Sequence, residues 1–526
     1  MSTSPRHEPA GTEQNRRRGK RGRRVPGAIS QLPWRRVVNP YPPLNIISED
    51  EVANIHRSSL RILAEVGIKV LDASARQSLK RIGATVDGSK EMVRFDPSLV
   101  EELVGYAPAQ ITLKARNSAH DLVLGGNETI FSSVQCPSFA SDLGRGRRYG
   151  TMDELTDFIR LVQSLNIIHQ GGGGGFEPLN LPVESRHLDI IYAFCRLTDK
   201  SWNAWGNSRE RVRDAVNMAC ISLQCSPDDL IRTPAITTGI NTNSPLQIDR
   251  PMAEGIMEMA RAGQPSVITP FTLAGAMAPA TEVGALVVQN AEALAGITLA
   301  QSVRRGAPVV YGAFTTNVEM TSGAPAFGTP HFAKCTLASG QLARFYGIPI
   351  RSSNNNTSNC VDAQAAYESQ VCLWSSLLSH SNLVFAAAGW LESGLTGSFE
   401  KLVVDAEMLQ LAAETLVPID CSEELVGFDA IAEVGPGGHF FGVGHTLERY
   451  ETAFYKPLLS NRQSYEAWSD AGSKDISQRA HEIWQQLLTD YEEPYLEPAI
   501  DDALRRYVAK RKEEITLGRA TMTELQ

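Results

Sequence analysis

Ser266-Val-Ile-Thr-Pro-Phe271, Pro308-Val-Val-Tyr-Gly312 and Ile348-Pro-Ile-Arg-Ser-Ser353 are three short apolar runs, and helical patterning fills the intervals over Thr281 to Arg305 and His331 to Phe345. A Val- and Ile-rich run of five or six residues bounded by Pro or Gly reads as a buried strand. Strands separated by a long helix lie parallel, because a tight turn joins only antiparallel neighbours. The alternation continues in both directions. Upstream stand Thr129 to Val134, Asn166 to Gln170, Ser201 to Trp205 and Ala235 to Ile240, and downstream stands Leu383 to Ala388. Helical segments Met152 to Ser164, Glu184 to Leu197, Glu210 to Leu223, Asp249 to Ala262 and Ala363 to Ser381 complete the series. Eight strand-helix units in roughly 270 residues are what a closed α/β barrel of the (β/α)8, or TIM, type requires. An open doubly wound sheet would show fewer units and a Gly-x-Gly-x-x-Gly turn after its first strand, and that turn is absent from the sequence.

A chain of 526 residues exceeds a bare barrel, so additions are expected at both ends. Residues 1–30 hold eight Lys or Arg against two acids, and with −9 on the whole chain the remainder carries −15. The stretch Arg16-Arg-Arg-Gly-Lys-Arg-Gly-Arg-Arg24 reads as a disordered, solvated tail, with contact to nucleic acid or an acidic protein as the alternative. No aromatic residue interleaves these charges, so nucleic acid is not the expected partner. Residues 31–125 read as an α+β subdomain. Val52, Ile55, Leu60 and Leu63 recur at helical spacing up to Gly67, Asp96-Pro97 opens a helix to Tyr106, and Met92 to Phe95 and Gln110 to Lys114 read as strands. The barrel is assigned residues 126–400. Residues 401–526 read as a helical cap, with an apolar helix over Val403 to Leu416, a turn at Gly435-Pro-Gly-Gly-His439 and a helical tail from Gln463 to Leu517.

No run of 18 apolar residues occurs. The most apolar stretch, Glu282 to Val303, is broken by Gln289, Asn290, Glu292 and Gln301, and the N-terminus lacks the apolar centre of a signal peptide. A cytoplasmic protein with no membrane partner is expected. Eight cysteines are scattered without a Cys-x-x-Cys pair, the pattern of free thiols in a reducing compartment, and no metal site is expected.

Barrel enzymes place their chemistry where strands end, on the C-terminal face. Here those positions are Gln135; Gly171 to Gly175; Trp205, Gly206 and Asn207; Asn241 and Asn243; Pro270, Phe271 and Thr272; Phe314, Thr315 and Thr316; Asn354, Asn355 and Asn356; and Gly389, Trp390 and Glu392. Neither a Ser-His-Asp set nor paired carboxylates stand among them, which argues against simple hydrolysis and glycoside chemistry. Amides and aromatic rings dominate. Aromatic faces suit a quaternary ammonium, whose charge is spread over methyl groups that accept no hydrogen bonds, and Trp205, Phe271, Phe314 and Trp390 are candidates. Packing inside the barrel is the alternative for each ring. The glycine run lacks the lysine and hydroxyl of a phosphate loop, and Gly172, Gly173 and Gly174 are read as a surface that something flat and large approaches closely.

Residues 347–369, with Asp362-x-Gln364-x-x-Tyr367-Glu368 after Asn354-Asn355-Asn356, resemble the strand 7 region of the trimethylamine methyltransferase family. Gly435-Pro-Gly-Gly-His439-Phe-Phe-Gly-x-Gly-His445-Thr and Leu60-x-x-Leu63-x-x-Val66-Gly67 are also similar to that family, and the resemblance runs from about Ile47 to the C-terminus. Methanogen-type members carry pyrrolysine near the strand 7 motif. This chain has only standard residues there, so it resembles the non-pyrrolysine branch, whose members demethylate quaternary amines such as glycine betaine.

The resemblance implies a methyltransferase that passes a methyl group to the Co(I) of a corrinoid carried on a separate protein, since the cobalamin-binding Asp-x-His-x-x-Gly motif is absent from this chain. It implies roles near the reacting centre for Asn354, Asn355, Asn356 and Asp362, with Asp362 as a helix cap the alternative. Trp205, Asn207, Phe271, Phe314, Arg351, Gln364, Tyr367, Glu368, Trp390 and His439 are the candidate substrate-binding residues. For Arg351 the choice lies between a substrate carboxylate and an internal salt bridge. A quaternary amine departs as a neutral tertiary amine, so the transfer needs positioning and no acid. A tertiary amine as substrate, or a betaine-binding sensor without turnover, are the competing readings. A homo-oligomer is expected.

Overall fold

The computed structural model describes residues 29–518. The basic tail expected over residues 1–30 lies outside them apart from its last two positions.

Eight parallel strands close into a ring: β1 Glu128–Ser133, β2 Gln170–Gly171, β3 Ser201–Ala204, β4 Ile236–Thr242, β5 Ser266–Pro270, β6 Val309–Gly312, β7 Ile350–Ser353 and β8 Leu383–Ala388. Each pairs with its successor, and β8 closes on β1 through Leu383 opposite Ile130 and Val384 opposite Phe131. The return helices are α1 Met152–Ser164, α2 Arg186–Leu197, α3 Arg209–Leu223, α4 Arg250–Arg261, α5 Glu282–Val303, α6 Pro330–Tyr346, α7 Ala363–Leu378 and α8 Phe399–Thr415. Seven of the eight start on a side chain that accepts a backbone N–H, from Thr151, Ser208, Asp249, Thr281, Thr329, Asp362 and Ser398. Such caps satisfy amides that the first turn leaves unpaired, at about 1 kcal/mol each. They also mark where the loops of the mouth end.

All eight expected strands are present, with two informative shifts. The strand expected over Asn166 to Gln170 begins only at Gln170, because Val162, Leu165 and Ile168 turn their carbonyls onto the buried ammonium of Lys200 at 2.8, 2.9 and 2.7 Å. The helix expected at Val403 begins at Phe399 and packs on β8 as the eighth barrel helix, so the barrel runs past residue 400 to Thr415. Helix α5 is long and apolar enough to cross a membrane, yet it is buried between the barrel and the N-terminal helices Glu49–Arg61 and Pro97–Val104.

The N-terminal segment contributes a helix, Glu49–Arg61, that passes into a π turn, Ile62–Val66, and stops at Gly67. Gly67 has φ +85°, and a Cβ there would stand 2.7 Å from the Val93 carbonyl. The strand expected from Gln110 is one arm of a hairpin, Gln110–Leu113 with Leu122–Gly125. Its Ile111, Leu113, Leu122 and Leu124 pack against Ile130, Val267, Val310 and Leu383 on the barrel strands. The hairpin thereby stoppers the N-terminal end of the ring. The helical tail expected from Gln463 is three helices: Tyr465–Asp470, then α9 Ile476–Thr489 packed on α8, and α10 Pro498–Thr516 packed on α2 and α3.

Candidate active site at the barrel mouth

A cavity of about 300 Å³ opens at the C-terminal ends of the strands, and its walls include Gln135, Trp205, Asn207, Asn241, Phe314, Arg351, Phe385 and Trp390. That volume is at the small end of ligand sites, about 300–1,000 Å³.

Arg351 sits on β7 and is 4% exposed. Its guanidinium carbon lies 4.5 Å from the Phe314 ring centroid and 5.1 Å from that of Phe385. One Nη donates to the Ala313 carbonyl at 3.1 Å, and Nε has no partner. Among the described residues no carboxylate pairs with it, so the internal salt bridge weighed from sequence is not formed. Burial without a counter-charge pushes this guanidinium down to about 9, and it still carries its charge at neutral pH.

Phe385 reaches the cavity through a distortion of β8. The β8–β1 register shifts between Val384 and Ala388, and Ala386 has φ +49°. A bulge of this kind re-aims a side chain and stores backbone strain where the rest of the fold holds it. On the opposite wall Trp205 donates its indole N–H to the Gly173 carbonyl at 3.2 Å, and Arg211 holds Asn207 Oδ1 at 3.0 Å. Glu177 lines the same side, 2.9 Å from Arg186, with burial raising its carboxyl above the usual range against the pull of that cation. Phe271 packs at a tilt against Phe314, with ring centroids 4.8 Å apart, and does not line the cavity.

Asn354, Asn355 and Asn356 continue β7 and are buried. Asn354 donates to the Ala387 carbonyl at 2.8 Å and Asn356 to Ser369 Oγ at 3.1 Å, while both amide atoms of Asn355 are unpartnered. The turn is held from below: Glu368 accepts from the Thr357 and Ser358 amides at 2.7 and 3.0 Å and from Gln364 Nε2 at 2.9 Å. Ser369 also takes a bond from Lys401, a fully buried ammonium paired with Asp405, which in turn accepts the Gly389 amide at 2.8 Å. The strand 7 and strand 8 loops thus share one buried ionic network.

Trp205, Asn207, Phe314, Arg351 and Trp390 therefore line the cavity, while Gln364 and Glu368 act behind it. Asp362 is exposed and caps α7 through the Ala365 amide at 2.9 Å. Tyr367 points to solvent, and His439 lies exposed outside the cavity. Gly172, Gly173 and Gly174 are buried, and a Cβ on the first two would meet Ser133 O at 2.1 Å and Asn203 O at 3.0 Å. The chain's own strands crowd these glycines, so the open face read for them from sequence is not there. Missed from sequence as site residues were Glu177, Thr269 and Phe385. Lumen-facing alternation within β5 and β8 was the available signal for the last two.

A family model described as trimethylamine methyltransferase (MTTB) matches residues 13–516. The chain is 37% identical over 475 residues to a glycine betaine methyltransferase of Desulfitobacterium hafniense (strain Y51), covering 90% of this chain and 98% of that protein. It is 28% identical over 485 residues to a trimethylamine methyltransferase of Desulfitobacterium hafniense (strain DSM 10664 / DCB-2), covering 90% and 95%. Among solved structures, the monomethylamine methyltransferase of Methanosarcina barkeri aligns with a TM-score of 0.46 at 9% identity, over 86% of this chain and 90% of that one. On the span of the family match and the full-length relatives, this chain is a methyltransferase and belongs to the trimethylamine methyltransferase family.

Proposed function

We propose that this methyltransferase takes a methyl group from a quaternary amine that also bears a carboxylate, a glycine betaine-like zwitterion, and passes it to the Co(I) of a corrinoid on a separate cytoplasmic protein. The observation that carries this reading is Arg351, a buried cation on the cavity wall with no carboxylate partner among the described residues. A substrate carboxylate supplies the missing counter-charge, and the charge-assisted bond it forms is strongest where water is excluded. Trp205, Phe314 and Trp390 offer ring faces to the methyl-coated ammonium, which needs no hydrogen-bond acceptor.

The acceptor attacks the methyl carbon in line with the C–N bond. The bond's electron pair stays on nitrogen, which leaves as a neutral tertiary amine, and cobalt takes the methyl group with formal oxidation to Co(III). No proton moves. The protein's part is to hold the carboxylate on Arg351, so that one N-methyl group is presented at the mouth, and to strip water from the cation. Trp390 stands at the proposed rim of this site, and the buried turn of Asn354 to Asn356, held in place by Glu368, is its proposed support behind the lining. Trimethylamine has no carboxylate to meet Arg351, and the quaternary reading is favoured for that reason.

The test mixes the purified chain with a reduced corrinoid protein and a panel of amines, and follows conversion of Co(I) to methyl-Co(III) by absorbance. Betaines are expected to react, and choline, tetramethylammonium and trimethylamine to react at least tenfold more slowly. Equal rates for choline and glycine betaine would remove the role of Arg351.

A further inference from the structure

Residues 417–457 leave the body as an arm. It departs from the end of α8, where the Val417 amide still bonds the Glu414 carbonyl, and returns where Tyr455 Oη and the Leu458 amide bond Glu407 at 3.1 and 2.8 Å. Between these points its ion pair and cap contacts stay within the arm itself, as in Arg449 to Glu424 at 2.9 Å and Arg449 to the His445 carbonyl at 3.3 Å. None of its apolar residues joins the hydrophobic clusters of the body. Yet Phe428 is 68%, Phe441 85%, Tyr450 78% and Phe454 85% exposed. At about 150–250 Å² per aromatic side chain these four rings alone offer on the order of 600 Å², against about 800 Å² that each partner buries in a standard interface. A single chain in water rarely leaves so much apolar surface uncovered.

The complement lies on the same molecule. At the end of the barrel opposite the mouth, a cleft of about 610 Å³ is walled by Tyr41, Pro42, Pro43 and Ile348, with Arg344 and His380 on its lining and no Asp or Glu. Arg344 is bonded to the Ser379 carbonyl at 2.7 Å and to Asn45 Oδ1 at 2.8 Å, neither of them an anion. The arm is acidic, with seven Asp or Glu against Arg449 and Lys456. Arm root and cleft share one end of the barrel: Arg35, which binds Glu414 beside the root, leads directly into the Pro40–Pro43 wall.

We propose that residues 417–457 are an exchange arm that packs into the Pro42/Arg344 cleft of a second copy of this chain. Because root and cleft are adjacent, a two-fold pair makes the contact twice, once in each direction. The arrangement covers the exposed rings, pairs the acidic arm with a cleft whose only ion is a cation, and leaves the mouth clear for the methyl acceptor.

The test is light scattering on the full chain and on two variants, Phe441→Asp/Phe454→Asp in the arm and Arg344→Glu in the cleft, with circular dichroism as the fold control. The native chain is expected at the mass of two or more copies, and each variant at a subunit dissociation constant raised at least tenfold. Mixing the two variants is expected to restore part of the association, since one arm and one cleft are then intact. A native chain of single mass at micromolar concentration overturns the proposal, and so does association that neither variant weakens. Arm variants that keep their association but no longer bind the corrinoid protein also overturn it, assigning the surface to that partner.

Discussion

The guanidinium carbon of Arg351 lies 4.5 Å from the Phe314 ring centroid, so this buried cation of the cavity is braced by an aromatic face and, among the described residues, met by no carboxylate. An unpaired buried charge weakens the empty protein and strengthens the loaded one. Arg351→Met, which keeps an unbranched stem and removes the guanidinium with its charge, is expected to raise the thermal midpoint. It is also expected to weaken glycine betaine by about 30- to 150-fold, the equivalent of about 2–3 kcal/mol for a buried charge-assisted bond. Calorimetry with glycine betaine and with tetramethylammonium checks it: the second ligand is expected to lose less than threefold.

Glu368 serves two adjacent backbone amides at 2.7 and 3.0 Å, which places a full charge under the asparagine turn. Glu368→Gln keeps the shape and one acceptor oxygen. It is expected to cost about 1–2 kcal/mol of stability and to lower kcat by roughly tenfold with little change in the binding of glycine betaine, because Arg351 is untouched. Parallel titration and methyl-transfer kinetics separate the two effects.

Lys401 and Asp405 are buried together, and Asp405 also anchors the Gly389 amide at the top of β8. Lys401→Met leaves that carboxylate alone and is expected to destabilise by about 3–5 kcal/mol. Adding Asp405→Asn removes the stranded charge while keeping an oxygen for Gly389, so the double variant is expected to melt above the single one. A double variant no more stable than Lys401→Met would show that the pair is not coupled.

His169 accepts the Phe131 amide on Nδ1 at 3.0 Å and faces the Arg35 carbonyl with Nε2 at 3.1 Å, which requires the neutral ring. Burial, helped by the nearby Lys200 ammonium, lowers it from 6.5 to about 3. The unfolded chain therefore takes up a proton that the folded chain refuses. Stability from this group is complete above pH 6.5 and is lost as the pH falls towards 3, at up to about 1.4 kcal/mol per pH unit. His169→Gln is expected to melt lower at pH 7 and to flatten the acid limb by that slope, as read from denaturant titrations between pH 4 and 7.

Much of the fold was legible because strands and helices differ in the spacing of their apolar residues and in the caps that start them. Leu383 to Ala388 and Met152 to Ser164 carry those signals within themselves, and their observed bounds coincide with the expected ones. The strand at Asn166 was misplaced because its backbone answers to Lys200, some 30 residues on, which no local pattern reports. The site was legible to the level of strand ends. Trp205, Phe314, Arg351 and Trp390 line the cavity there, whereas Asp362 caps a helix, the glycine run serves strand packing and Tyr367 faces solvent.

The sequence by itself determined the alternation of elements, the barrel class and a rim rich in amides and rings, since each is encoded over a few adjacent residues. Only the tertiary structure decided that β8 bulges at Ala386 to turn Phe385 inward, that the hairpin from Gln110 stoppers the ring, and that Arg351 faces a cavity with no carboxylate partner among the described residues. Those facts depend on register and packing between residues tens to hundreds of positions apart, where the energy of a contact is set by what surrounds it and not by the order of the chain.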